Sequence, residues 1–128
     1  MVYLDSSALV KLIVHERETD SLVGYLRSHS ARVTCALART EVPRAVRRQG
    51  SIAIRRAGAL LRRVDLIGID DALLDAAGIL DDDNLRSLDW IHRAAARALG
   101  DELTAVVTYD QRMSAAARRL GLAAVAPG

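Results

Sequence analysis

Residues 1–12 read MVYLDSSALVKL: an apolar triplet, the carboxylate of Asp5, two serines, then a largely apolar stretch from residue 8. Val2 to Leu4 favours a short buried strand and Ser6 to Val14 a helix, so a strand passes into a helix across one acidic residue. The plain reading of Asp5 or Ser6 is a helix cap. A chemical reading needs other groups at the same place, and the rest of the chain must supply them.

The same alternation continues downstream. Thr19 to Ser28 reads as a helix with Leu22, Val23 and Leu26 on one face, and Arg32 to Cys35 as a strand. Leu37 to Arg48 reads as a helix despite Pro43, which is tolerated near a first turn or at a kink. Ser51 to Arg63 carries Arg55/Arg62 and Arg56/Arg63 seven residues apart, one basic stripe on a helix. Asp70 can cap a helix through Leu80, and Ser87 another through Leu99. Thr104 to Thr108 is a β-branched strand candidate, Ser114 to Leu120 a helix, and Leu122 to Val125 a last strand. Short apolar strands alternating with helices predict the α/β class, with a parallel sheet covered on both sides.

The chain's 128 residues, half of them apolar, make a single domain, residues 1–128, with no internal repeat or Pro/Gly-rich linker. No uncharged apolar run approaches the ~18 residues of a membrane span, and the first residues lack the basic-then-apolar pattern of a secretory signal. The lone cysteine, Cys35, cannot form an internal disulfide, which suits a reducing cytoplasm. The net charge of +2 hides a segregation: Arg39 to Arg63 holds eight arginines against Glu41, while Asp65 to Asp89 holds eight aspartates against Arg86. Two solvated faces would explain this, as would a basic surface for a polyanion beside an acidic pocket. The DDDN run at Asp81 to Asn84 reads as a solvated loop.

In open parallel sheets, functional groups gather at the carboxyl ends of strands. Asp5 follows the first strand directly, and Asp110 follows the Thr104–Thr108 strand in VVTYD. Two acids therefore share one sheet edge. Asp89 stands in the first turn of its helix, where the dipole alone would favour it. Glu41 borders an apolar stripe but has Arg44 and Arg48 three and seven residues on, so a surface ion pair competes.

The ordered set YLDSSALVKL (3–12), ARTEVPRAV (38–46), LRSLDWIHRAAARAL (85–99) and VVTYDQRM (106–113) resembles the PIN domain, specifically the VapC-type toxins of bacterial toxin–antitoxin pairs. The resemblance implies an αβα sandwich with a short central parallel sheet flanked by helices. It makes Asp5, Glu41, Asp89 and Asp110 the acidic cluster of a metal-dependent endoribonuclease. Trp90 departs from the small residue usual beside the third acid. Four clustered carboxylates repel one another, and a hard divalent cation, Mg²⁺ or Mn²⁺, resolves the conflict. His15, His29, His92 and Cys35 lack the spacing of a zinc site. Asp5 and Asp89 are then expected as direct ligands, Asp110 as a ligand or through water, and Glu41 as a water-orienting group or the holder of a second ion. Ser6 and Thr108 would support them by hydrogen bonds. Arg44, Arg48, Arg55 and Arg62 become candidates for tracking RNA phosphates. His92, three residues after Asp89, could hydrogen-bond it. The resemblance also implies a cognate antitoxin and a homodimer. Rival readings are an RNA-processing nuclease without antitoxin, a phospho-receiver with Asp5 as acceptor, and a non-catalytic binding module. The phospho-receiver lacks a suitably placed lysine, Lys11 being the only one.

Overall fold

The computed structural model describes residues 1–80 and 87–128. The Asp81–Asn84 run lies outside the described residues, and so does the side chain of Ser87 on which its expected capping role depends. The strands are β1 (Val2–Leu4), β2 (Arg32–Cys35), β3 (Asp65–Ile67), β4 (Ala105–Val107) and β5 (Ala124–Val125), all pairing in parallel in the order β3-β2-β1-β4-β5. The helices are α1 (Ser6–Ile13), α2 (Thr19–Arg27), α3 (Ala38–Val46), α4 (Ser51–Leu61), α5 (Asp71–Gly78), α6 (Ser87–Ala98) and α7 (Gln111–Arg119).

Period-two alternation divides the central strands between two cores. Val2, Leu4, Ala105 and Val107 face one layer, packed against Leu9 and Ile13 of α1, Leu22 and Leu26 of α2, and Val42 and Val46 of α3. Ala53, Ala57 and Leu61 of α4 complete that face. Tyr3, Val33, Cys35 and Val106 face the other layer, against Leu73 and Ala77 of α5, Ala94 to Ala96 of α6 and Ala117 of α7. Trp90 packs partly buried against this second core, so its bulk has a structural use. The expected αβα sandwich is the observed one.

Local signals account for much of this. Asp5, extended at φ −80° and ψ 174°, caps α1, its side chain accepting the Ala8 N–H. Asp70 caps α5 in the same way, its Oδ1 accepting the Leu73 N–H at 2.8 Å. Gly50, at φ 99°, makes the turn between a 3₁₀ turn (Arg47–Gln49) and α4, a conformation that suits glycine.

β3 carries no strand signal of its own: it starts at an exposed aspartate and is a sheet edge whose pairing with Val33 to Cys35 is supplied by β2. Two expectations need correction. The last long helix starts at Gln111, earlier than Ser114, because the Asp110 carboxylate accepts the N–H groups of Arg112 and Met113 and so caps it there. The Leu37–Arg48 helix is shorter as an α-helix: α3 passes through Pro43, ends at Val46 and tightens into the 3₁₀ turn.

Candidate active site

The chain runs outward from β1 through β2 to β3, then returns to place β4 on the other side of β1. The crevice beyond the carboxyl ends of β1 and β4 is therefore a topological switch point, where open α/β sheets bind ligands. All four acids stand at helix N-termini. Asp5 caps α1, Glu41 and Asp89 lie in the first turns of α3 and α6, and Asp110 caps α7. α1, α3 and α7 leave the carboxyl ends of β1, β2 and β4, and α6 is the helix that returns the chain to the start of β4. Their positive ends lie along one edge of the sheet and ease the gathering of negative charge.

Asp5 is the most tightly held. It is buried, and its backbone N–H donates to the Val107 carbonyl at 3.2 Å, tying the ends of β1 and β4. Oδ1 accepts from Ser7 Oγ at 2.5 Å and from the Ala8 N–H at 3.1 Å, while Oδ2 accepts from Thr108 Oγ1. Those hydroxyls are themselves positioned, since the Tyr109 N–H donates to Ser7 Oγ and the Asp110 N–H to Thr108 Oγ1. Burial pushes the Asp5 carboxyl above its ordinary value, against the hydroxyls, the Ala8 amide and the charge of His92, which pull it down. Three donors fix the two oxygens of this carboxylate while burial disfavours its charge.

Glu41 does not pair with Arg44 or Arg48. Its Oε1 accepts from Ser6 Oγ at 2.7 Å and meets His92 Nε2 at 2.5 Å, and His92 Nδ1 meets the Tyr3 hydroxyl at 2.6 Å. Burial would raise the Glu41 carboxyl, but the hydrogen bond and charge of His92, with Ser6, bring it below its ordinary value. His92 thus serves Glu41, across 51 residues of sequence. Asp89 is half-buried in the turn below His92 and shares its face of α6. Asp110 is exposed and opens onto a cavity of about 280 Å³ lined by Thr108, Tyr109, Gln111, Ser114 and Arg118.

Ser6 touches Glu41 rather than Asp5, and the hydroxyls on Asp5 are those of the expected Thr108 and of Ser7. The signal was present in the Asp-Ser-Ser triplet, where two adjacent hydroxyls can serve two acids. Tyr3, which reads as a core residue, also places its hydroxyl on His92.

Residues 2–119 match the PIN domain family. The chain is a PIN domain protein. It is 48% identical over 126 residues to ribonuclease VapC46 of Mycobacterium tuberculosis, covering 98% of this chain and 97% of that protein. Ribonuclease VapC35 of the same species is 42% identical over 132 residues, covering 100% of this chain and 98% of that protein. Among solved structures, M. tuberculosis VapC20, described as a sarcin-ricin loop cleaving toxin, superposes with a TM-score of 0.79 at 19% identity over 99% of this chain and 100% of that one. A toxin–antitoxin complex from Klebsiella pneumoniae gives 0.71 at 18% identity, over 90% and 91% of the two chains. These two support the fold.

For this PIN domain the donor chemistry of the acidic edge is all hard oxygen, which fits Mg²⁺ or Mn²⁺ and not zinc, because His92 is committed to Tyr3 and Glu41. Among the described residues no three His, Cys, Asp or Glu side chains converge on one point; Asp5, Glu41 and Asp110 each rest on hydroxyl, imidazole or amide partners of their own.

The eight arginines from Arg39 to Arg63 are exposed, and among the described residues none of them pairs with an acid. The structure divides the four candidate RNA-tracking arginines. Arg44 and Arg48 line one hollow with Arg47, whereas Arg62 faces Arg39 across a groove between α3 and α4 that also includes Pro43, Gly58 and Leu66. Arg55 lines neither. Lys11 is taken up by Glu16 at 2.8 Å and Glu18 at 3.0 Å, and lies 4.8 Å from the centroid of the Tyr109 ring, which argues against a phosphoryl-binding lysine. Cys35 is buried and free. Among the described residues no helix is long and apolar enough to cross a membrane.

Proposed function

We propose that this protein is a divalent-cation-dependent endoribonuclease that hydrolyses RNA phosphodiester bonds, the toxin of a toxin–antitoxin pair. The observation that carries the reading is Asp5: a buried carboxylate, braced on both oxygens and raised by burial, at the switch point of a PIN fold. Asp5, Asp89 and Asp110 would hold Mg²⁺ or Mn²⁺. When bound, the cation supplies positive charge to the phosphodiester oxygens and acidifies water. Thr108 and Ser7 fix the Asp5 oxygens, so no reorganisation is needed as charge develops. Glu41, anchored through Oε1 and kept ionised by His92, has Oε2 without a partner among the described residues, and that oxygen can orient a water or take its proton.

The relatives named VapC ribonucleases support RNA as the substrate, and the toxin–antitoxin complex among the structural neighbours supports a cognate antitoxin as partner. A homodimer, alone or within a toxin–antitoxin hetero-oligomer, in a reducing cytoplasm completes the proposal. A small antitoxin gene beside this one separates the toxin from an RNA-processing PIN nuclease.

Incubating the purified chain with RNA, Mg²⁺ or Mn²⁺ tests the reaction. Attack by water leaves the 2′-hydroxyl out of the chemistry, so the cut ends should carry linear phosphates. Chelator-resistant cleavage yielding 2′,3′-cyclic phosphates would sink the reading.

The basic surface gives a second result. In salt titrations of single-stranded RNA binding, with Asp5→Asn present to keep the RNA intact, each phosphate-tracking arginine should contribute about 0.7 to the slope of log affinity against log salt. Arg44→Ala with Arg48→Ala should therefore lower the slope by about 1.4 if each neutralises one phosphate. An unchanged slope would return that hollow to a protein interface.

A further inference from the structure

We infer that His92 is a positioning residue for catalysis: with the Tyr3 hydroxyl fixing its tautomer, it holds Glu41 by one carboxylate oxygen so that the other faces the reaction edge. The inference rests on the ribonuclease reading above. His92 is 2% exposed and Tyr3 1%, so neither can rely on water for its hydrogen bonds. The contact Tyr3 Oη to Nδ1 is 2.6 Å and Nε2 to Glu41 Oε1 is 2.5 Å, so the imidazole is used at both nitrogens. An ionised glutamate only accepts, so Nε2 must carry a hydrogen. In the neutral imidazole Nδ1 then accepts and the phenol donates to it, while in the imidazolium that pulls Glu41 down Nδ1 donates to the phenol oxygen; in both, Nε2–H stays on Glu41.

Ser6 shares Oε1 with His92, and both donors lie on the same side of the carboxylate. Each anchor comes from a different element: Tyr3 from β1, Ser6 from α1, His92 from α6 and Glu41 from α3. The chain therefore links the start of α6, one turn beyond Asp89, to the start of α3. Moving His92 would let Glu41 rotate toward solvent, with Arg44 and Arg48 one and two turns away on α3 and its continuation to receive it.

Single-turnover RNA cleavage and ¹⁵N-imidazole NMR of the full chain test this together. His92→Gln should lower kcat about 10- to 100-fold, the usual loss when a supporting partner is removed, with KM for RNA little changed. In a Glu41→Gln background the same change should cost almost nothing more, because the two residues act as one. Tyr3→Phe, the milder change, keeps the ring in the core and covers the case in which His92→Gln fails to fold. It should give an intermediate kcat loss and shift His92 away from the Nε2–H pattern shown by the intact protein. Full activity in folded His92→Gln, additive losses with Glu41→Gln, or an Nδ1–H pattern in the intact protein would each overturn the inference. An intact chain that cleaves nothing would overturn the ribonuclease reading, and the NMR tautomer would still decide the relay.

Discussion

Asp5→Asn is expected to cut RNA cleavage by at least about 10²–10³-fold, the loss typical of removing a preorganised electrostatic group from a water-excluded site, while leaving the chain folded. Asparagine keeps the shape and still offers an oxygen to Ser7 Oγ and the Ala8 N–H, so the α1 cap survives. Its amide can face Thr108 Oγ1 with the hydroxyl proton turned away. The sign of the stability change follows from burial. The folded-state value of Asp5 is raised, so the native state holds a proton more tightly than the unfolded chain. In the cation-free protein the contribution of Asp5 is best below its unfolded value. It is lost as pH climbs to the raised folded value, and stays lost above it. Asp5→Asn removes that loss, so its melting temperature at neutral pH should equal or exceed that of the intact chain, the two converging in acid. Glu41 has the opposite sign: its lowered carboxyl contributes stability above its unfolded value, lost as pH falls through the folded one. Thermal melts from acid to neutral pH, beside the cleavage assay, measure both effects. Cleavage that survives in folded Asp5→Asn would remove Asp5 from the site. A marked drop in neutral-pH melting temperature would show that the bonds from Ser7 and Thr108 to the charged carboxylate outweigh its burial.

Removing the cation is the second large effect. Chelator should abolish cleavage by the intact chain, and Mg²⁺ or Mn²⁺ should restore it. Without activity as the readout, binding to the native state alone stabilises it by RT ln(1 + [L]/Kd), about 2.7 kcal/mol at a hundredfold excess over Kd. A titration of Mg²⁺ against melting temperature should therefore rise for the intact chain and stay flat for Asp5→Asn and for Asp89→Asn. The rise should be steeper at neutral pH than in acid, because a protonated Asp5 competes with the cation. A flat titration for the intact chain, with cleavage indifferent to chelator, would exclude the acidic edge as a cation site. Activity is the first readout to obtain, since its loss on chelation separates a nuclease from a binding module whose four acids serve only as caps and pairing partners.

The balance between burial and compensation also explains why these acids sit where they do. Each stands at a helix start, where the helix dipole offsets part of the cost of gathering negative charge, and backbone amides donate directly to Asp5 and Asp110. Asp5 and Asp110 are further coupled through Thr108, whose hydroxyl donates to one carboxylate while accepting the backbone N–H of the other residue. That coupling joins the ends of β1 and β4, adjacent in space and more than a hundred residues apart in the chain.

What could be read from the sequence was what local chemistry decides. The apolar triplet before Asp5, the cap at Asp70 and the β-branched run before Asp110 each specify their own element, because side-chain periodicity and capping act over a few residues. They gave the α/β class, the parallel sheet and the placing of two acids at strand ends, and the ordered motifs gave the PIN family. Position in three dimensions decided the rest. β3 exists because β2 offers it an edge, which an aspartate-led tripeptide cannot announce. Ser7 rather than Ser6 reaches Asp5 because α1 leaves the strand at one rotation and not another. Glu41 is paired with His92 instead of its neighbouring arginines because α3 and α6 bring their first turns to the same sheet edge. Hydrogen bonds between residues distant in sequence depend on how helices are set on the sheet, and that setting is fixed by packing of the two cores, not by the local pattern of any one segment.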